Sequence, residues 1–266
     1  MKRYLFRALD AIHSLLLNSF VSRWYCAIII SPRKYKRVKL NGTNCVFHIP
    51  NSYINWYVSN FDSKFANELV TQEILLSCVR SGDVVYDVGA NIGAYVIWLG
   101  KSFNLKQLVA FEPEAVNYSE LTKNIRINNL DTAVAMPLAA SNRSGYEPFF
   151  LQDEMEGNAS SFLGDYEASD RSFSSQQIVP LEKIDSLVSS KIIFPPDVLL
   201  IDVDGGELSV LEGMQENLYS CRLVIVEVSE DTKNEVDIFL KNHDFYMKYD
   251  KNQRRGNITY FKNNSK

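Results

Sequence analysis

One segment, residues 84–93, constrains the fold more than any other part of this 266-residue chain. It is an apolar run that breaks into small residues at Gly89 and Gly93, which is how a buried parallel strand ends in a tight turn before a helix. A second apolar run, 107–111, ends in Glu112. An acid at the tip of the second strand is placed to accept hydrogen bonds from ribose hydroxyls. The pattern therefore predicts a nucleoside-containing cofactor lying across the strand ends.

The spacing of the turn indicates which cofactor. A dinucleotide site normally reads G-x-G-x-x-G, whereas this turn reads Gly-Ala-Asn-Ile-Gly and is preceded by Asp87. It resembles the D-x-G-x-N-x-G loop of class I S-adenosylmethionine (SAM) methyltransferases. An Asp at position 87 suits a cationic methionyl end better than a pyrophosphate. The alternative is a strand–turn–helix in which the glycines serve packing alone.

Further segments are similar to those of the FkbM family of methyltransferases and follow the family's order. Residues 196–213 resemble its D-V-E-G-x-E-x-x-V-L-x-G block. The other similar segments are 124–130, 137–141, 179–181, 184–187 and 224–228. The resemblance covers residues 68–230. Two positions depart from the family pattern, since Leu200 and Asp204 stand where the family usually has Lys and Glu.

Strands and helices alternate along the chain, which predicts a parallel sheet with helices on both faces. The expected strands are 83–88, 107–112, 133–138, 197–203, 222–228, 244–249 and 257–262. The resemblance implies the Rossmann-like class I methyltransferase fold, an α/β fold with a seven-stranded, mostly parallel sheet and a terminal antiparallel hairpin. We expect two regions, an N-terminal segment over 1–62 and a methyltransferase domain over 63–266.

Ligands of open α/β sheets bind outside the carboxyl ends of the strands. We expect the turn to hold the amino-acid end of SAM and Glu112 to hold the ribose, with Pro113 ending the strand and aiming the carboxylate. The residues expected to bind the cofactor are Asp87, Gly89, Ala90, Asn91, Gly93, Glu112, Pro113 and Ala139.

Several acids follow the fourth core strand, and by alternation Asp202 and Asp204 share a face. Carboxylates that meet at one point repel, so either one is protonated or a cation joins them. In the favoured mechanism Asp202 or Asp204 is a general base and no metal is bound. In the alternative, Asp202, Asp204 and Glu227 bind Mg²⁺. Glu207 is a further catalytic candidate or a first-turn acid stabilised by the helix dipole, and His48 is a candidate base.

The charge is distributed unevenly. Residues 1–40 contain nine Lys or Arg and one acid, a net charge of +8. The whole chain has a net charge of −4, so the remaining residues carry −12. An acidic body argues against a nucleic-acid substrate. The four cysteines form no C-x-x-C pair and indicate reduced thiols in a cytoplasmic protein.

The N-terminal residues favour a surface helix over a membrane span. Apolar residues recur at helical spacing over 4–30 but are interrupted by charges, and a basic cluster follows at 33–39. Such an arm can lie on the inner face of an anionic membrane, or it can pack on the core or on a second copy of the chain.

Three local patterns complete the expected organisation. An Asn-Gly between alternating apolar residues predicts a hairpin over 39–47, and a helix is expected over 63–80. The segment 152–177 is polar and has little periodicity, so we expect a mobile substrate lid or a solvated loop there.

Taken together, the residues and the resemblance predict a SAM-dependent O-methyltransferase. The resemblance implies an acceptor hydroxyl on a sugar, a glycan, a glycolipid precursor or a related small molecule. The alternatives are a non-catalytic SAM- or glycan-binding protein and an NAD-dependent oxidoreductase, which the absent G-x-G-x-x-G disfavours.

Overall fold

The computed structural model describes residues 35–61, 68–151, 157, 161–163, 173–229, 231–250 and 255–263. This part of the chain begins with a β-hairpin and two helices: β1 (Tyr35–Leu40), β2 (Thr43–His48), α1 (Ser52–Asn60) and α2 (Glu68–Cys78). The predicted hairpin is confirmed. Its turn holds Asn41 at φ 44° and Gly42 at φ 87°, the left-handed values that a two-residue Asn-Gly turn needs.

Strands and helices then alternate, as predicted. The first group is β3 (Val84–Val88), α3 (Ala94–Ser102), β4 (Gln107–Phe111), α4 (Ala115–Ile127) and β5 (Ala133–Met136). Four strands follow: β6 (Ala139–Ala140), β7 (Gly145–Leu151), β8 (Ser161–Leu163) and β9 (Ser175–Glu182). The last group is α5 (Ile184–Ser189), β10 (Val198–Ile201), α6 (Glu207–Glu212), β11 (Leu223–Ser229), α7 (Lys233–Asn242), β12 (Phe245–Asp250) and β13 (Arg255–Lys262).

The main sheet has seven strands in the order β5-β4-β3-β10-β11-β13-β12. The five strands from β5 to β11 are parallel, and β13 pairs antiparallel with both β11 and β12. The predicted sheet and its terminal hairpin are therefore confirmed. The strand order reverses between β3 and β10, which is where open α/β sheets leave a crevice at the carboxyl ends of their strands.

Helices cover both faces of this sheet. Successive strand residues point to opposite faces, so each strand contributes side chains to two cores. Val85 and Leu108 belong to a core cluster that includes apolar residues of α1, α2, α3 and α4. Tyr86 and Val109 belong to a second cluster that includes apolar residues of α5, α6 and α7. The continuous apolar runs of the strands reflect this burial on both sides.

A second, four-stranded sheet, β6-β9-β7-β8, was not predicted. The expectation of a segment without regular structure over 152–177 is wrong at β8 and at the start of β9. Both strands pair antiparallel with β7, Phe150 lying opposite Phe162 and Gln176. The three residues of β8 are too few to show a strand pattern, and β9 begins with polar residues. The other residues of 152–177, apart from Gly157, Phe173 and Ser174, lie outside the described residues.

Several sequence-based expectations concern residues that the structure does not describe. The N-terminal arm over 1–34, the first residues of the helix expected over 63–80 and the expected boundary between 62 and 63 all lie outside the described residues. Within the described ranges, no helix is both long and apolar enough to cross a membrane. Cys45, Cys78 and Cys221 are free thiols.

Candidate active site

The turn after β3 fits tightly between the ends of β4 and β10. The amide groups of Gly89 and Ala90 both donate to the Phe111 carbonyl, at 3.0 Å each. Gly89 has φ 89°, and a Cβ built there would lie 1.9 Å from the Asp202 carbonyl oxygen. Only glycine combines a left-handed φ with the absence of a Cβ, so a glycine at position 89 allows the turn to approach β10 closely.

The rest of the turn leads into α3. Asn91 has φ 51°, and its side-chain oxygen accepts the Ile92 amide at 2.7 Å. Its side-chain nitrogen donates to the Gly157 carbonyl at 3.3 Å. Gly93 has φ 85°, and a Cβ there would lie 2.5 Å from a Leu121 methyl carbon. The second glycine therefore allows close packing of the turn on α4.

Glu112 lies beyond the end of β4 with its carboxyl group buried. One oxygen accepts the Asn91 amide at 2.7 Å, and the other accepts the Glu114 amide at 2.8 Å. Burial raises the pKa of Glu112 to about 8, although the two backbone donors act in the opposite direction. The neighbouring Glu114 and Asp87 carboxyls raise it further. A ligand that donates hydrogen bonds here would stabilise the carboxylate.

The acidic cluster lies across the crevice from Glu112. The Asp202 amide donates to the Val88 carbonyl at 2.9 Å, which joins the end of β10 to β3. Asp202, Asp204 and Glu227 all line the same cavity. Among the described residues, no group of three His, Cys, Asp or Glu side chains is placed to hold a metal ion.

Glu207 is near this cluster but differs from it. It begins α6, is only 3% exposed and is not among the described residues that line the cavity. One carboxyl oxygen accepts the Gly205 amide at 3.2 Å, and the other has no hydrogen-bond partner within the described part of the chain. Burial raises the pKa of Glu207. Its observed contact stabilises the turn that carries Asp204.

His48 is not brought into the cavity. It lies at the end of β2, and its Nδ1 is 2.6 Å from a carboxyl oxygen of Glu120 on α4. Glu120 also accepts a hydrogen bond from Lys123 at 2.6 Å. The hairpin therefore directs this imidazole toward α4 and not toward Asp202 or Asp204.

One cavity of about 470 Å³ joins the turn, Glu112 and the acidic cluster. Most of the residues expected to bind the cofactor line it: Asp87, Gly89, Ala90, Asn91, Glu112, Pro113 and Ala139. Gly93 is not among the lining residues and acts through packing. Seven of the described lining side chains are acids, and one, Arg143, is a base paired with Glu147. The cavity is therefore strongly acidic.

Sequence reasoning missed part of the lining. The missed residues include Tyr53, Tyr57, Thr71, Asn117, Arg143, Glu147 and Asn257. They belong to α1, α2, α4, β7, the turn before β7 and β13, and no short motif links them. The spacing of Tyr53 and Tyr57 could have placed them on one helical face, but that pattern is also typical of core residues.

Comparisons with known proteins find similar methyltransferases. The model of the methyltransferase FkbM domain matches residues 87–253. The hexuronic acid methyltransferase AglP of Haloferax volcanii is 30% identical over 157 residues, 58% of this chain and 59% of that protein. The methyltransferase sdnD of Sordaria araneosa is 23% identical over 71% of this chain and 86% of that protein. The crystal structure of the methyltransferase FkbM from Methylobacillus flagellatus has a TM-score of 0.49 and 15% identity, over 79% of this chain and 54% of that one.

Proposed function

Because the chain belongs to the FkbM methyltransferase family, we propose that it transfers a methyl group from SAM to a hydroxyl oxygen of a sugar or a related small molecule. One observation carries the proposal. The glycine turn with Glu112 and the turn with Asp202 and Asp204 line a single cavity at the crevice of the sheet. SAM and a methyl acceptor bound together in this cavity would therefore reach both the proposed cofactor site and the proposed proton acceptors.

The cavity suits this cofactor in size and charge. Its volume lies within the range of about 300–1,000 Å³ that is usual for small-molecule sites. Buried acids such as Asp87 and Glu112 favour a ligand that carries positive charge and hydroxyl donors. When bound, SAM supplies a methyl group on a sulfonium that is already a good leaving group. We assign the amino-acid end to Asp87 and the turn from Gly89 to Gly93, and the ribose to Glu112.

The acceptor oxygen must lose its proton as the methyl group is transferred. Asp202 and Asp204 are the proposed acceptors of that proton, since both line the cavity beyond β10. Positioning of the acceptor beside the cofactor supplies the rest of the rate enhancement. In the alternative mechanism Asp202, Asp204 and Glu227 would have to move closer together to hold Mg²⁺, which would then lower the pKa of the acceptor hydroxyl.

A sugar acceptor is supported by the chain's similarity to a protein named as a hexuronic acid methyltransferase. Carboxylates and amides bind vicinal hydroxyls, and both groups line this cavity. Glycolipids and polysaccharide precursors belong to the same acceptor class. A nucleic-acid acceptor is disfavoured by the acidic lining, which would repel phosphates. A non-catalytic SAM- or glycan-binding role and an oxidoreductase remain the competing hypotheses.

The test is transfer of a labelled methyl group from SAM to a panel of sugars, run with EDTA and with added Mg²⁺. We expect methyl transfer to at least one sugar, and no oxidation of the same sugars when NAD replaces SAM. Asp202→Asn and Asp204→Asn should each lower kcat by about 10²–10⁴, while S-adenosylhomocysteine (SAH) still binds. The matched control is Asp131→Asn, since Asp131 is exposed in the loop before β5.

The outcomes separate the hypotheses. Wild-type rates in both variants would show that the acids are structural. Loss of turnover in EDTA that Mg²⁺ restores would favour the metal mechanism. Binding of SAH without transfer to any acceptor would favour the non-catalytic role.

A further inference from the structure

We infer that Tyr53, Tyr57, Thr71 and Asn257 form the wall that selects the acceptor, and that the acceptor is an uncharged pyranose ring. The inference rests on the proposed function and adds to it a substrate class and the residues that recognise it. We call these four residues the acceptor wall. All four line the cavity.

The acceptor wall lies outside the matched family domain. That domain covers residues 87–253, whereas the wall residues precede it on α1 and α2 or follow it on β13. The residues proposed to bind SAM, by contrast, all lie within the domain. The cavity lining thus has two parts. The proposed cofactor site lies within the family domain, and the acceptor wall is supplied by the segments that flank this domain.

The aromatic part of the wall comes from α1. Asn51 caps this helix by accepting the Ile54 amide at 2.8 Å, which sets its starting point. Ile54 and Val58 are buried in the core, at 0% and 1% exposure. Tyr53 and Tyr57 are one turn apart and line the cavity, and Tyr57 also packs on the core, edge-on to Phe61 with ring centroids 5.9 Å apart. Two phenol rings directed into a polar cavity provide flat apolar surfaces with polar edges.

The first ring is held against the cofactor turn. A Cβ built at Gly157 would lie 3.5 Å from Tyr53 Cδ1, so the ring lies near this glycine. Gly157 is fixed in turn by Asn117, which accepts its amide at 2.7 Å, and by Asn91, which donates to its carbonyl. The aromatic surface therefore begins beside the residues proposed to bind SAM, where a methyl acceptor must lie.

The polar part of the wall lies beside the acidic cluster. Asn257 donates its side-chain amide to the Thr71 hydroxyl at 2.8 Å, which joins β13 to α2. Asn257 is also the antiparallel partner of Glu227. A hydroxyl, a carboxamide and a carboxylate thus meet at one corner. These groups can both donate to and accept from the hydroxyls along the edge of a sugar.

Charge restricts the acceptor further. The acids of the described lining outnumber its bases by seven to one, and the single base, Arg143, is already paired with Glu147. A carboxylate or phosphate on the acceptor would be repelled, since the described lining offers no free cation to receive it. An aromatic surface beside polar acceptors instead fits the C–H face and hydroxyl edge of an uncharged pyranose.

The experiment uses the full-length protein saturated with SAH. Saturation-transfer NMR is recorded with methyl β-D-glucopyranoside, methyl β-D-galactopyranoside and methyl α-D-mannopyranoside, and with D-glucuronate. We expect ring C–H signals from at least one neutral glycoside and at least a tenfold weaker signal from glucuronate. Tyr53→Leu and Tyr57→Leu should each lower the glycoside signal at least fivefold, whereas Tyr57→Phe retains it.

The matched control is Tyr219→Ala, because Tyr219 is 73% exposed and does not line the cavity. Calorimetry with SAH on every variant verifies folding and should give affinities within threefold of wild type. If SAH binds but the leucine variants keep full glycoside signals, or glucuronate binds as well as the glycosides, the acceptor wall is refuted. Failure of SAH to bind the wild-type protein would instead refute the proposed function.

Discussion

At the scale of single residues, Glu112 shows how burial prepares a side chain for a ligand. The residue is 5% exposed, and its carboxyl group has backbone donors on both oxygens. The cost of burying the charge outweighs those donors, so its pKa lies at about 8. The folded protein without ligand therefore holds a proton on Glu112 near neutral pH.

This proton makes SAH binding depend on pH. Ribose hydroxyls that donate to Glu112 favour the carboxylate, so its pKa should fall on binding and the proton should be released. Only about 1% of Glu112 is ionised at pH 6 and about half at pH 8, so affinity should rise by up to about 50-fold between these values and then level off. Calorimetry at pH 6, 7, 8 and 9 measures this rise. Glu112→Gln should remove the rise, and an equal rise in the variant would assign the proton to another group.

The same shift predicts a change in stability. The folded-state pKa of Glu112 is raised above its usual value, so its contribution to stability is full at low pH and is lost as the pH rises through about 8. Glu112→Gln cannot ionise. The melting temperature of the variant, measured without ligand, should therefore increase relative to that of the wild type as the pH increases from 5 to 9. A constant difference between the two proteins would contradict the raised pKa.

Gly89 illustrates a position where backbone and packing act together. Gly89→Ala should lower the free energy of unfolding by about 3 kcal/mol or more, because it adds a left-handed φ and a clash with Asp202. Gly82→Ala is the matched control, since Gly82 has φ 87° but nothing within 4 Å of its Cβ position. That variant should lose only about 1–2 kcal/mol. Equal losses in urea unfolding would show that the approach to Asp202 can relax.

At the scale of elements, α4 holds the N-terminal hairpin and the cofactor turn together. Asn124 accepts the His48 amide at 2.8 Å and donates to the Ile92 carbonyl at 2.9 Å. Asn128 accepts the Val46 amide at 3.0 Å and donates to the Val46 carbonyl at 2.6 Å. Four helical residues rise about 6 Å and two strand residues about 6.6 Å. One helical turn therefore matches alternate residues of β2.

Asn128→Ala should weaken this docking. It leaves both backbone groups of Val46 without their partner, so the free energy of unfolding should fall by about 1–3 kcal/mol. Asn242→Ala on α7 is a suitable control because Asn242 is exposed at the end of its helix. Chemical denaturation measures both. An Asn128→Ala protein as stable as the control would mean that water replaces the asparagine.

At the scale of the whole molecule, charge divides the chain into a basic arm and an acidic body. Residues 1–40 carry +8 and the remainder −12. Each Lys or Arg near an anionic membrane surface contributes about 1 kcal/mol to binding, and salt screens the attraction. Peripheral membrane binding through the arm therefore stays a prediction, as does packing of the arm on the core or in a homo-oligomer.

Co-sedimentation with anionic vesicles tests the arm. The full chain should bind at low salt and dissociate at high salt, whereas a protein that starts at Tyr35, the first residue of β1, lacks six of the nine basic residues of 1–40 and should bind much more weakly. Vesicles of neutral lipid serve as the control. If neither protein sediments and the shorter one aggregates or loses a dimer, the arm is a packing element.

The sequence by itself determined the elements whose signals are local. The strand–turn–helix around Gly89, the placement of Glu112 after a buried strand, the Asn-Gly hairpin and the alternation of strands and helices all follow from short segments. Each depends on backbone conformation or burial periodicity over a few residues. For this reason the seven-stranded sheet was predicted in full, and its strand ends were close to those observed.

Only the tertiary structure decided which distant residues meet. It placed Tyr53, Thr71 and Asn257 around one cavity, whereas His48 faces Glu120 and Glu207 lies beneath the turn that it supports. It also formed the second sheet, in which β7 pairs with the three-residue strand β8 and with β9. Such arrangements arise from the crossing of elements far apart in the chain. A side chain's direction then depends on partners that its own neighbourhood in the sequence does not encode.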